Sequence, residues 1–304
     1  MEEQAINCDP VNEPMITASD YGVEEAPSRK GKQTDGVGSC PSCATASSPV
    51  QSYVYSLGRI EPRFPRLSVE KEFAQATGRA DTAGQTDQQV LQSVLSKPEN
   101  RYLARQLCWV MLVQGLETYL LQPRDPGEFE LLVQTIRREP GPLDIDVVVG
   151  LRGPIAPPEM CNGLMLPIVV FDQIYSFDRP SLIKAIPKPE KLKSGQFDRA
   201  ADEVLSRIVQ LADNSGATDE HRALNYLTLR YPSIYSTAFE EFARDFSLTA
   251  VATRTSAVAG RKIVEVVFSY TNRNTDFTEK FCVRVDVSDE FPFLVTKLSP
   301  YFDR

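Results

Sequence analysis

Apolar positions first cluster at Tyr53, where a polar stretch gives way to YVYSLGRI, whose aromatic and β-branched residues predict a strand. EPRFPRL after it reads as a proline-fixed loop, and Ser68 as the N-cap of a helix whose Val69, Phe73 and Ala76 share one face. Thr86 with Gln89 three residues on is a capping-box pair. It starts a helix with Val90, Leu91, Val94 and Leu95 on its apolar face, stopped by Pro98. LCWVMLV and LETYLLQ flank Gln114 and Gly115 and predict a hairpin, with a buried helix as the alternative that periodicity leaves open. Asp125, Pro126 and Glu128 supply the cap, the first-turn proline and the box partner for a helix lined by Phe129, Leu132, Val133 and Ile136. DIDVVVGL and MLPIVVFDQIYSF are nearly unbroken apolar runs, the pattern of strands buried on both faces and central in a sheet. The rigid loop RGPIAPPEMCNG separates them.

The pattern breaks at Pro187–Gln196, where PKPEKLKSGQ is basic and poor in apolar residues and marks the best internal boundary. Beyond it, Phe197, Ala201, Val204, Ile208 and Leu211 stripe one helix. Thr218 caps a second, with Leu224, Leu227 and Tyr231 along its apolar face and Asp219 and Glu220 complementing its dipole. Four strands follow, at Leu248–Val258, Ile263–Tyr270, Phe277–Val287 and Phe293–Leu298. TNRN is a turn between them, and Phe281, Val283, Val285 and Val287 alternate strictly. The fold class read from this order is α+β, with mixed or antiparallel sheets, packed helices and a C-terminal antiparallel meander. Residues 1–49, rich in Glu, Ser, Gly, Pro and Thr, read as a flexible tail, followed by an α/β part at 50–187 and an α+β part at 188–304.

Composition narrows the partners. With 41 acidic against 33 basic residues the formal charge is −8, so there is no basic footprint for nucleic acid or anionic membrane. The apolar run Leu164–Phe171 falls far short of the roughly 18 residues of a membrane-spanning helix. MEEQAINCDPVNEPM has neither the basic nor the apolar region of a secretory signal, which places the chain in the cytoplasm and its six cysteines in the reduced state.

Candidate chemistry is sparse. His221 is the one histidine, and its position in a first helical turn suits a local hydrogen bond better than a catalytic dyad with Cys161. No nucleophile-elbow or phosphate-loop string follows a predicted strand. Asp144 and Asp146, two apart on a strand, put both carboxylates on one face, where they would hold a divalent cation, act as acid and base, or simply face solvent. Cys40-Pro-Ser-Cys43 reads as a redox dithiol, as two inert cysteines, or as two thiolates for a structural zinc, half of a closed tetrahedral set. Cys8, Cys108, Cys161, Cys282 or His221, or the CPSC of a second subunit across a two-fold axis, would have to complete it.

Longer strings carry a resemblance: YVYSLGRIEPRFPRLSVEKEFAQATGR from Tyr53, NRYLARQLCWV from Asn100, LRGPIAPPEMCNGLMLPIVVFDQIYSF from Leu151, ATDEHRALNYL from Ala217 and VRVDVSDEFPFLVTKLSPYFDR at the C-terminus. From about residue 40 onward the chain resembles the C-terminal domain of cyanobactin maturation proteases of the PatA/PatG type. In that family the domain, whose own role is unassigned, follows a subtilisin-like protease that trims or macrocyclises precursor peptides. The subtilisin-like domain and its triad are absent here, so the resemblance implies no proteolytic residues. It implies a place in ribosomal-peptide maturation. The first reading of the chain within that place is a non-catalytic interaction module that binds precursor peptide, a partner maturation protease or a second copy of itself, through sheet edges or the apolar loop RGPIAPPEMCNGLM. The alternatives are a peptide-modifying enzyme built on Asp144, Asp146, Cys161 and His221, and a zinc-stabilised homodimeric scaffold.

Overall fold

A computed structural model of the chain describes residues 52–78, 84–142, 144–185, 194–210, 214–258 and 260–302. The elements run β1 (Ser52–Arg63), α1 (Leu67–Thr77), α2 (Asp87–Leu95), α3 (Arg101–Gln106), β2 (Cys108–Val113), β3 (Leu116–Pro123), α4 (Phe129–Gln134), β4 (Asp144–Ile155) and β5 (Pro167–Asp178). There follow α5 (Arg179–Ala185), α6 (Ser194–Val209), α7 (Asp219–Arg230), α8 (Ser233–Ala243), β6 (Phe246–Val258), β7 (Arg261–Asn272), β8 (Thr278–Asp286), β9 (Phe293–Leu294) and β10 (Ser299–Pro300). The described residues after Gln51 form one compact unit. The tail expected at 1–49, the residues 187–193 of the expected boundary, and Leu211 lie outside the described residues.

β1 to β5 close into a barrel in the order β1-β2-β3-β5-β4, antiparallel except where β3 meets β5 in parallel. Alternation along each strand sorts its side chains. Val54, Ile60, Trp109, Met111, Tyr119, Leu121, Val148 and Phe171 join the core that α1 to α4 complete. The odd-numbered residues Tyr55, Leu57, Ile145, Val147 and Val149 point outward, where Tyr226 and Leu229 of α7 cover them. A third face, Val110 and Leu120, is covered by Met160, Leu164 and Leu166 from the β4–β5 connection. The apolar loop predicted as a contact surface therefore packs Ala156, Met160, Cys161 and Leu164 against its own barrel and leaves Ile155 and Met165 exposed. β4 and β5, expected in the middle of a sheet, have neighbours on both sides because a closed barrel has no edge.

Both predicted capping boxes form: Gln89 N–H donates to Thr86 Oγ1 and Thr86 N–H to Gln89 Oε1, and the Asp125–Glu128 box is likewise reciprocal. The hairpin turns at Gln114 and Gly115, both at positive φ (51° and 81°), a turn that matches the twist of its strands. Two expectations are corrected. The first strand continues through Pro62 to Arg63, because β1 pairs only with β2 there and a proline without N–H is tolerated where one side is free. The next helix is capped at Arg66, with no side-chain cap bond, which places Ser68 in its first turn.

Beyond the barrel, α6, α7 and α8 lie on one face of the antiparallel sheet β10-β8-β7-β6, with β9 also pairing β8. Phe197, Val204, Leu227, Tyr235 and Phe239 meet Val264, Val266, Phe268, Val283 and Val285 in its core. The predicted caps and alternation hold, with Thr218 Oγ1 accepting from His221 N–H at 3.2 Å. α8, which the sequence reading lacks, inserts Ile234, Tyr235 and Phe239 into this layer.

Candidate functional site

Of the predicted site residues, Asp144 and Asp146 are brought together, but into structural bonds. Asp144 and Asp146 share a face at the start of β4, and Arg137 lies between them, its Nη2 donating to Asp146 Oδ1 at 2.9 Å and its Nε 3.4 Å from Asp144 Oδ2. Ile60 N–H (2.8 Å) and Ser176 Oγ (2.5 Å) complete Asp146, and Gly141 N–H (2.6 Å) binds Asp144. Asp146 is 1% exposed, so this is a buried, paired carboxylate fixing the barrel seam. Cys161 forms a disulfide with Cys108, Cα atoms 6.0 Å apart, on the outer face of the barrel. That corrects the expectation of six reduced thiols and removes Cys161 as a partner for His221. It also withdraws Cys108 and Cys161 from any zinc set; Cys282 is buried in the open sheet. Cys40 and Cys43 lie outside the described residues, among which no group of three or more His, Cys, Asp or Glu is placed to hold a metal.

Chemistry concentrates instead along α7, where it joins barrel and sheet. Arg222, 2% exposed, donates to the carbonyls of Val287 (2.7 Å), Glu290 (3.2 Å) and Asp289, and its guanidinium carbon sits 5.2 Å from the Tyr53 ring centroid. Asn225 donates to the Tyr55 carbonyl at 2.7 Å and exchanges amide bonds with buried Asn214. Gly216, at φ +76°, accepts from Tyr55 N–H at 2.9 Å, so close that a Cβ there would strike the Tyr55 carbonyl. These bonds occupy the side of β1 that β2 leaves open before Arg59.

Next to this seam, Tyr55 and Tyr175 place their hydroxyls 2.6 Å apart. Both tyrosines lie on the outer face, on strands either side of β4, with Val147 and Val149 between them in register. Burial raises both phenols above the ordinary tyrosine value, Tyr55 strongly; Arg230 beside them opposes this only in part. The Arg230 guanidinium carbon lies 5.2 Å from the Tyr175 ring centroid, which puts its positive charge beside both hydroxyls. The cavity they face measures about 300 Å³, with Gln173, Tyr226, Phe291 and Pro292 as its other walls. Behind those walls Asp172 and Glu290 meet. Burial, then the adjoining Asp172 carboxyl, raises Glu290 to about 7, against the pull of Arg124 and Arg222. Arg124 bridges the two, at 2.7 Å from Asp172 and 3.8 Å from Glu290.

Two other cavities carry less. One of about 380 Å³ between α2, α3 and α4 is lined by Arg101 and Glu130, which pair with each other at 2.8 Å. One of about 400 Å³ at the barrel rim holds Asp144 and Arg179, already engaged by Arg137 and Asp202. Sequence reading missed the tyrosine pair because its members are 120 residues apart; the outward register of Tyr55 was the available signal.

Residues 191–301 match the family described as PatG C-terminal. Among solved structures the chain is similar to one titled "PatG Domain of Unknown Function", at 19% identity and a TM-score of 0.66, covering 82% of this chain and 98% of that one. That coverage exceeds residues 191–301, so the shared fold takes in the barrel as well. No curated protein matches the chain. Among the described residues no helix is long and apolar enough to cross a membrane. From α6 through the meander, then, the chain is similar to the PatG C-terminal family, and its fold as a whole is similar to that of the PatG domain.

Proposed function

We propose that this protein is a non-catalytic binding module of cyanobactin-type ribosomal-peptide maturation, acting in the cytoplasm, and that it takes an extended segment of precursor peptide or of a partner maturation protease onto the free edge of β6. The observation that carries this is the edge itself. β6 is 13 residues long and pairs with β7 along its length, while its other side meets no strand among the described residues. Such edges are templates for strand addition, and proteins that do not use them blunt them with lysine, proline or short strands. β6 carries only a register shift between Leu248 and Ala250 and one arginine, Arg254, and its side chains from Thr249 to Ala257 are largely exposed. The non-catalytic part rests on the engagement of Asp144, Asp146 and Cys161 in structural bonds. Against the cytoplasmic part stands the Cys108–Cys161 disulfide, a bond rare in reducing compartments.

Hydrogen exchange with and without precursor peptide tests the reading. Slowed exchange of β6 amides from 249 to 257 on adding peptide is expected. Exchange unchanged there, or slowed only elsewhere, overturns it. Protection that depends on protein concentration and needs no peptide assigns the edge to a second copy of the chain.

A further inference from the structure

We propose that the cavity between β5, α7 and the Phe291–Pro292 turn is a carboxylate site, taking the C-terminal carboxylate of a peptide whose last residue is apolar. Its polar groups are donors in excess. The Tyr55 and Tyr175 hydroxyls hold two protons between them, and their 2.6 Å contact uses one. Arg230 contributes only N–H donors and so provides no acceptor for the other; none is found among the described residues. Arg230 has no carboxylate partner among them either: the groups acting on it are the two tyrosines. A cation beside a spare hydroxyl proton, with no anion between them, is complementary to a carboxylate, and charge-assisted bonds to it are the strong kind. The acidic residues next to lining residues in the sequence, Asp172 and Glu290, are already bridged by Arg124. Of the remaining walls, Tyr226, Pro292 and the half-exposed Phe291 are apolar or aromatic, and Gln173 is the one further polar side chain. A volume of about 300 Å³ is at the small end of ligand sites and suits a single terminal residue.

Nothing here rests on strand addition at β6: the site stands or falls whether or not that edge pairs with a peptide. Isothermal titration of the whole chain with N-acetylphenylalanine and with its amide reads it directly. The acid should bind, and the amide should bind about tenfold or more weakly, since a charged hydrogen-bond partner contributes about 1.5–3 kcal/mol. Arg230→Gln should weaken the acid to the level of the amide, and Tyr175→Phe should weaken it several-fold, with melting temperatures showing that both variants fold. Equal binding of acid and amide, no binding of either, or an acid affinity untouched by Arg230→Gln overturns the proposal. Inorganic phosphate competing as well as the acid would mark a bare anion site and overturn the peptide-terminus assignment.

Discussion

The barrel and the open sheet are both five-stranded, yet they finish their backbones differently. Each barrel strand has two neighbours, and the outer faces are covered by α7 and by the barrel's own β4–β5 connection. The open sheet buries one face under α6 to α8. Its other face carries polar rows such as Arg254, Glu265 and Arg284, in register across β6, β7 and β8, with Arg284 Nε 3.1 Å from Glu265. Closure pairs most of the barrel's strand backbone internally, the end of β1 beyond Gly58 excepted, so the larger surfaces for recognition are the sheet's edge and the seam where α7 joins the two halves. Each end of α7 binds a different piece: Arg222 the turn after β8, Arg230 the tyrosines of β1 and β5.

The largest expected effect tests the barrel's covalent strap. The Cys108–Cys161 bond spans 53 residues, and closing a loop of that order contributes about 2–4 kcal/mol. Urea unfolding with and without reductant, followed by fluorescence of Trp109 in the barrel core, should show that loss. An unchanged midpoint would mean the barrel is held by packing alone.

Arg222→Met is the next step, and it tests the seam. It leaves the Val287, Asp289 and Glu290 carbonyls without their donor, and losing one side of a buried charged network costs about 3 kcal/mol. Trp109 fluorescence reports the barrel and far-UV circular dichroism the whole chain. The variant's two unfolding curves should separate if Arg222 couples the halves; coincident curves would assign the coupling to the Asn214–Asn225 pair and its bond to Tyr55.

How much of this was legible varies with distance along the chain. Caps at Thr86, Asp125 and Thr218 and the Gln114–Gly115 turn are local chemistry, and each forms where the residues predict it. The alternation of Phe281, Val283 and Val285 names its buried face directly, and the apolar run of β4 is buried on both faces from Asp144 to Gly150, whereas β5 exposes Gln173 and Ser176. α8 escaped because it begins at Pro232 with no side-chain cap, although Ile234, Tyr235, Ala238 and Phe239 keep helical spacing. Barrel closure has no local signature, since the parallel pairing of Leu120 with Ile168 is set by register across a long crossover. Asp144 and Asp146 were found as a pair, but the cation between them is Arg137, which the strand pattern did not single out. The tyrosine pair and Asp172–Glu290 are products of tertiary contact alone.

The smallest expected effect separates seam from barrel by pH. Glu290 titrates near 7 in the folded chain and near the ordinary glutamate value of about 4.3 when unfolded. Between those values the folded state holds more protons, so Glu290's contribution to stability is complete below about pH 4.3 and is lost as pH rises through 7. Glu290→Gln keeps the group neutral throughout. The variant should therefore gain on the parent as pH climbs across that window, in matched urea titrations. Hydrogen exchange locates the effect: amides of 288–292 in the parent should exchange faster, relative to their intrinsic rates, toward pH 7, while those of β4 should not. An equal pH slope in parent and variant would place the proton elsewhere. Acceleration in β4 as well would mean that Arg124, by holding Asp172 of β5, ties the barrel to the same titration, and that the two halves respond as one.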